Sequence, residues 1–211
     1  ERVYKEASAR AKDDEAFAAM ARAELKKLQD GDASNRALWR RFVAATRETL
    51  DRVYRRLGVS FDEWLGESAY HDELPGVVEA LLDRGIARED DGAICVFFDE
   101  LEGAPKSLRK QKEPFIVRKR DGAFLYSTTD VATILLRRDR FQADRSVYVV
   151  DARQALHFRQ LFAVAAALGV SMRLDHVGFG TILGEDGKPL RTRDGGTIKL
   201  EDLLDEARDR A

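Results

Sequence analysis

The spacing of hydrophobic residues changes along the chain, and in its first part it predicts helices. Within 1–58 apolar side chains recur three and four positions apart, which is the pattern of amphipathic helices. We therefore expect two helices that pack against each other. Their expected boundaries are Asp13 or Asp14 as the first cap, Gly31 as the first end, Ser34 or Asn35 as the second start and Gly58 as the second end.

The part that follows, 59–86, combines a short aromatic stretch with a second helical pattern. Residues 59–70 are expected to form a strand that leads into a site loop. Residues 71–84 carry apolar side chains at helical spacing, and Gly85 is expected to end that helix.

A change to strand-like runs marks 87–126 as a β insertion. The pair Asp121-Gly122 is typical of a type I′ hairpin turn. The polar and basic stretch 101–113 is expected to be a mobile loop. The expected strands are 94–98, 115–117 and 124–126.

Helix and strand alternate again from Ser127 onward. One of the hydroxyl residues at 127–129 is expected to cap a helix that reaches residue 140, which places Asp130 in its first turn. An acidic residue there is favoured by the helix dipole even without a function. A buried strand at 147–150 then leads into a helix that Gly169 ends.

The junction after strand 147–150 is a candidate site, because ligands of open α/β sheets bind beyond the carboxyl ends of the strands. Gln154 and His157 lie three positions apart and therefore share one helix face. The simpler alternative is that both side chains form hydrogen bonds with nearby backbone groups and bind no ligand.

The last part, 173–211, contains glycines and cations in a pattern that suits an anionic ligand. Gly178 and Gly180 interrupt a strand-like run, so a flat ligand or a backbone segment can approach there. A loop between glycines follows, and 197–211 is expected to enter a helix with three buried leucines. The loop cations are Lys188, Arg191 and Arg193, and the leucines are Leu200, Leu203 and Leu204.

Composition indicates a soluble globular protein rather than a membrane protein. Of the 211 residues 35% are charged and 44% hydrophobic, with a net charge of -2. No apolar run approaches the roughly 20 residues of a membrane helix, and the charged start of the chain does not resemble a signal peptide. The single Cys95 excludes an internal disulfide, and three scattered histidines show no metal-ligand spacing, so no protein-bound metal is expected.

Several segments, in order, resemble the catalytic core of class I arginyl-tRNA synthetases. They are the LGES turn at 65–68, GAFLYSTTDVA at 122–132, YVVDARQALHF at 148–158 and HVGFGTILGEDGKPLRTRDGGTIKLEDLLDEA at 176–207. With the two opening helices, the likeness spans essentially the whole chain.

The resemblance implies that Tyr126, Asp130, Gln154 and His157 bind the substrate L-arginine. A carboxylate such as Asp130 suits this role, because it can accept two N–H bonds from a planar guanidinium, which an ammonium cannot offer. Tyr126 would add a ring face and a hydroxyl, and Gln154 both a donor and an acceptor.

The same resemblance implies an ATP site in the last segment. His176, Gly178, Phe179, Gly180 and Lys188 would bind ATP, which normally brings Mg²⁺. The loop at 188–195 takes the place of the mobile signature loop but lacks its common lysine-methionine-serine-lysine form. The candidate catalytic cations, which would stabilise the leaving pyrophosphate, are Lys188, Arg191 and Arg193.

The implied fold is α/β: the second part of a Rossmann-like core with a parallel sheet, plus a helical N-terminal segment and a β insertion. We divide it into 1–58, 59–86, 87–126 and 127–211. The family's histidine-rich signature and its helical anticodon-reading domain do not occur in these residues. We therefore expect an excerpt of a longer enzyme that is inactive when isolated.

The implied function is arginine–tRNA ligation in the cytoplasm, by a monomer that uses ATP and tRNA(Arg) and does not contact a membrane. An alternative is a fragment or paralogue that binds arginine or tRNA without turnover. A generic nucleotide-binding domain is less well supported, because no Gly-x-Gly-x-x-Gly follows a strand.

Overall fold

The computed structural model describes residues 2–180 and 200–210, which belong to two compact units. One unit contains 2–62 with 200–210, and the other contains 63–180. The cations Lys188, Arg191 and Arg193 lie outside the described residues.

In chain order the elements are α1 (Arg2–Asp13), α2 (Glu15–Gln29), α3 (Ala33–Arg56), a 3₁₀ helix (Glu67–Glu73), α4 (Leu74–Asp83), β1 (Arg88–Asp90), β2 (Ala93–Val96), β3 (Phe115–Arg118), α5 (Tyr126–Asp139), β4 (Arg145–Asp151), a second 3₁₀ helix (Ala152–Gln154), α6 (Ala155–Ala167), β5 (Arg173–Phe179) and α7 (Leu200–Arg210).

The helical unit contains three helices where the sequence predicted two, plus α7. The side chain of Asp14 accepts a hydrogen bond from the Phe17 backbone N–H at 2.9 Å, so this predicted cap is confirmed. Helix α3 begins earlier than predicted, because Asp32 caps it by accepting from the Asn35 N–H. Arg56 of α3 forms an ion pair with Asp205 of α7 at 2.9 Å.

Much of the apolar surface of these helices is exposed within their own unit. α1 packs on α2 and α2 on α3, so the predicted packing of neighbouring helices is confirmed. Large apolar side chains nevertheless remain exposed on each of these three helices, and Phe42 of α3 is 63% exposed. The prediction of three buried leucines in α7 was wrong: Leu200 is 47% exposed, and Leu203 and Leu204 are half-buried.

The β insertion is a three-stranded antiparallel sheet in the order β1-β2-β3. A type I′ turn does occur, but it joins β1 to β2 at Asp91-Gly92, where both residues have positive φ (48° and 78°). At the predicted position only Gly122 has a positive φ, and its N–H donates to the Lys119 carbonyl. The prediction chose the wrong Asp-Gly pair, because both pairs carry the same local signal.

Two other local predictions were wrong. Residues 59–70 do not form a strand; the 3₁₀ helix Glu67–Glu73 follows irregular chain. Phe124 makes one isolated bridge to Arg118, so the predicted strand 124–126 does not form. The stretch 101–113 consists of turns and bends, as expected for a loop, but it packs apolar residues into the core, and Leu108 is fully buried.

Strands β4 and β5 run parallel and are joined by α6, which confirms the α/β class. Tyr148 pairs with His176 in the register of these strands. Gly169 ends α6 in a left-handed conformation (φ 77°), as predicted. Helices α4, α5 and α6 enclose the core of this unit, which includes Leu81, Val131, Ile134, Leu161 and Val164. None of the helices in 2–180 and 200–210 is long and apolar enough to cross a membrane.

Candidate functional site

A cavity of about 810 Å³ opens beside the carboxyl end of β4. Its walls come from the first 3₁₀ helix, from one face of α5 and from the junction between β4 and α6. This is the position at which parallel α/β sheets bind ligands. The residues predicted to bind arginine all line it, namely Tyr126, Asp130, Gln154 and His157.

Tyr126 and Asp130 share one face of α5, because they lie four positions apart on the same helix. The helix begins at Tyr126 and has no side-chain cap, so Asp130 lies in the second turn and not, as predicted, in the first. The hydroxyls of Ser127 and Thr128 donate instead to backbone carbonyls of β3, and Thr128 is fully buried. These bonds fix the start of α5, and with it both site residues, against the antiparallel sheet.

The Asp130 carboxylate contacts the His157 imidazole. Asp130 Oδ2 and His157 Nε2 are 2.6 Å apart, and the side chains are 30% and 12% exposed respectively. The imidazole stacks on the Phe115 ring, with centroids 5.9 Å apart, and meets the Tyr126 ring edge-on at 4.9 Å. His157 therefore lines the cavity but is largely enclosed by aromatic groups, and its Nε2 contacts the Asp130 carboxylate.

Gln154 is exposed at the start of α6 and makes no capping hydrogen bond there. Asp151 precedes it and accepts hydrogen bonds from the backbone and the guanidinium of Arg153. These bonds lower the pKa of Asp151 to about 2, so its carboxylate is ionised at neutral pH. The Gln154 amide is thereby presented at the cavity by a short, capped 3₁₀ turn.

Several residues that line the cavity were not predicted as site residues, among them Glu67, Tyr148 and the cations Arg137 and Arg153. Glu67 supplies a second carboxylate from the 3₁₀ helix, and the LGES turn was its only sequence signal. Tyr148 is 8% exposed, and its hydroxyl has no hydrogen-bond partner among the described residues. Burial raises the pKa of this phenol, and the Arg137 guanidinium lies 4.7 Å from the ring centroid. From sequence alone, Tyr148 cannot be distinguished from an ordinary core residue.

The described residues predicted to bind ATP do not line this cavity themselves, although His176 contacts two residues that do. His176 stacks on Phe158 at 4.7 Å, and its Nε2 lies 3.3 Å from the Val150 carbonyl. A Cβ built on Gly178 would lie 3.0 Å from Ala152 Cα, so this glycine admits a neighbouring backbone. Phe179 is half-exposed, and among the described residues only the chain neighbours of Gly180 lie within 4 Å of a Cβ built on it. None of these four residues lines the cavity.

The part of the cavity wall around Asp130 is chemically suited to a planar organic cation. Asp130 and Glu67 provide negative charge, and the 62% exposed Tyr126 ring provides a flat aromatic surface. Two cations also line the cavity, but both have partners: Arg137 donates to the Ser146 hydroxyl and Arg153 to the Asp151 carboxylate. No cluster of His, Cys, Asp and Glu suited to a metal ion occurs within the described ranges.

Comparison with known proteins gives consistent matches. A family model described as "tRNA synthetases class I (R), catalytic domain" matches residues 1–211. An arginine–tRNA ligase of Rhodopirellula baltica is 49% identical over 189 residues, covering 89% of this chain and 27% of that protein. One from Azotobacter vinelandii is 48% identical over 216 residues, covering 100% and 37%.

A solved structure is also similar. The crystal structure of arginyl-tRNA synthetase from Plasmodium falciparum superimposes with a TM-score of 0.74 at 26% identity, covering 93% of this chain and 31% of that one. The chain thus spans roughly a quarter to just over a third of the length of these relatives.

Proposed function

Because this chain belongs to the catalytic-domain family of class I arginyl-tRNA synthetases, we propose that the protein to which it contributes activates L-arginine with ATP and transfers it to tRNA(Arg). The observation that carries the proposal is the grouping of Tyr126, Asp130 and Gln154 around one cavity at the end of β4. The resemblance in sequence assigns all three to arginine binding, and their chemistry suits arginine.

The selection of arginine is proposed to depend on the shape of its charge. A guanidinium is planar and offers its N–H groups in a fixed fork, which Asp130 can accept and Glu67 can complement. The Tyr126 ring offers a face on which such a cation can stack. Lysine carries the same charge, but its ammonium is not planar and cannot donate two parallel hydrogen bonds to a carboxylate. The Gln154 amide is placed to bind polar atoms of the amino acid.

Activation requires positive charge around the ATP phosphates rather than a protein nucleophile. The arginine carboxylate would attack the α-phosphorus and displace pyrophosphate, so the protein supplies positioning and stabilises negative charge. Magnesium would accompany ATP, and Lys188, Arg191 and Arg193 are the proposed protein cations. His176, Gly178, Phe179 and Gly180 are proposed to border the nucleotide. We place the enzyme in the cytoplasm and expect a monomer.

The test is arginine-dependent exchange of pyrophosphate into ATP by the full-length protein, measured with and without tRNA. We expect exchange with L-arginine and little with L-lysine or L-citrulline. Arginine binding without exchange under either condition would contradict the proposal and indicate a non-catalytic paralogue.

A further inference from the structure

One oxygen of the Asp130 carboxylate is already bound. Oδ2 lies 2.6 Å from His157 Nε2, whereas Oδ1 makes no hydrogen bond with another described residue. Each carboxylate oxygen can accept more than one hydrogen bond. The contact with His157 therefore fixes the plane of the carboxylate without using up its capacity to bind a guanidinium.

The imidazole is itself held firmly by rings from separate elements. Phe115 of β3 stacks on it with an interplanar angle of 19°, and Tyr126 of α5 meets it at 64°. Phe158, its neighbour in α6, packs edge-on at 5.3 Å. A ring with contacts on several sides has little freedom to tilt, so its Nε2 presents a fixed point to Asp130.

We propose that His157 is a positioning residue for arginine selection, which orients Asp130 through Nε2 and supports the Tyr126 ring through its edge. The inference rests on the proposed function and assigns His157 a role that acts through its neighbours instead of by contact with arginine. With its proton on Nε2 the ring donates to Oδ2, and the remaining acceptor sites of Asp130 face the substrate in one orientation. The stack on Phe115 makes the antiparallel sheet part of the support for this arrangement.

This role predicts a split in the kinetic constants of the full-length enzyme. His157→Phe keeps a ring of similar size against Phe115 but removes the donor, so the KM for arginine should rise about tenfold or more while the KM for ATP changes less than twofold. The preference for arginine over citrulline should fall, because a neutral urea gains less from a correctly oriented carboxylate. His157→Gln places an amide nitrogen near the position of Nε2 and should recover most of the lost affinity.

A double-variant comparison distinguishes positioning from direct binding. If His157 acts through Asp130, adding His157→Phe to Asp130→Asn should cost no further arginine affinity. An additive loss would overturn the inference, and so would His157→Phe with an unchanged KM for arginine or His157→Gln as impaired as His157→Phe. His157→Asn, whose amide is too short to reach Asp130, serves as the second variant and should reproduce the loss even if the phenylalanine disturbs folding.

The matched control is His71→Gln, an exposed histidine on the first 3₁₀ helix that does not line the cavity. It should leave every constant unchanged. Wild-type enzyme without arginine-dependent exchange would contradict the proposed function. Normal wild-type exchange together with an unchanged KM for arginine in His157→Phe would contradict only the positioning role.

Discussion

Asp130 is the side chain on which the choice of substrate should depend most. Asp130→Asn keeps the shape of the group but removes its charge and one acceptor, and a charge-assisted hydrogen bond contributes about 1.5–3 kcal/mol. We expect the KM for arginine to rise about a hundredfold at the upper end of that range, with the KM for ATP nearly unchanged.

The control is Asp139→Asn at the other end of the same helix, where the carboxylate is 60% exposed and paired with Arg138. Steady-state exchange kinetics should show this variant to be indistinguishable from wild type. Equal effects of the two substitutions would mean that α5 responds to lost charge in general and that Asp130 has no special role.

At the residue scale the sequence predicted four residues of the cavity wall, because spacing along a helix or after a strand limits where a side chain can point. Tyr126 and Asp130 were recognisable as a pair at four positions, whatever the exact start of the helix. Glu67 and Tyr148 could not be assigned in this way. Their participation depends on how the 3₁₀ helix and β4 pack, and this is a tertiary property that no local pattern contains.

At the element scale, the link between α5 and β3 should contribute measurably to stability. Thr128 is fully buried, and its hydroxyl donates to the Val117 carbonyl. Thr128→Val removes the donor and leaves that carbonyl without its partner, which should lower the free energy of unfolding by about 1–3 kcal/mol. Urea denaturation followed by circular dichroism measures the change.

Thr49→Val is the matched control for this substitution. Its hydroxyl also donates to a backbone carbonyl, that of Ala45, but on the exposed surface of α3. We expect a change within about 0.5 kcal/mol there, since water replaces the lost partner. A Thr128→Val protein as stable as the control would show that the bond to β3 is dispensable.

Gly178 should be intolerant of even one added methyl group. The new Cβ would lie 3.0 Å from Ala152 Cα, which belongs to the short 3₁₀ helix that carries Gln154. We expect Gly178→Ala to destabilise the protein by about 1–3 kcal/mol and to raise the KM for arginine by displacing Gln154. For stability, Gly180→Ala is the comparison, because none of the residues in 2–178 or 200–210 lies within 4 Å of a Cβ at that position. Thermal unfolding of the two variants should separate them clearly.

Local sequence signals were sufficient to predict some helix ends but not the hairpin turn or the cap of α5. Helix ends at Gly58, Gly85 and Gly169 were correct, since a left-handed glycine is a local requirement. The hairpin was misplaced because Asp91-Gly92 and Asp121-Gly122 look alike until strand pairing is known. The pattern at 127–129 predicted a hydroxyl that accepts a capping hydrogen bond, but packing against β3 makes two of these hydroxyls donors to strand carbonyls.

At the scale of the whole molecule, we expect arginine binding and the reaction at the ATP phosphates to depend on different parts of the chain. Replacing Lys188, Arg191 and Arg193 together with alanine should slow arginine activation severalfold or more, because cations stabilise the leaving pyrophosphate. The KM for arginine should remain nearly constant. Pre-steady-state exchange with the full-length enzyme measures the activation rate directly.

Removing three cations from the exposed surface of α2, at Arg22, Lys26 and Lys27, controls for the change in net charge. This variant should activate arginine at the wild-type rate. Loss of rate in both variants would assign the effect to overall charge and not to the loop.

The hydroxyl bonds that join α5 to β3 also make the antiparallel sheet a reporter of what happens in the cavity. A ligand that immobilises Asp130 and Tyr126 should damp fluctuations of the helix start and, through the tethered carbonyls of Ile116 and Val117, those of the strand. Amide protons along 115–118 should therefore exchange with deuterium more slowly when arginine is added. Slower amide exchange in β3 would thus report arginine binding from a strand that is not itself part of the cavity wall.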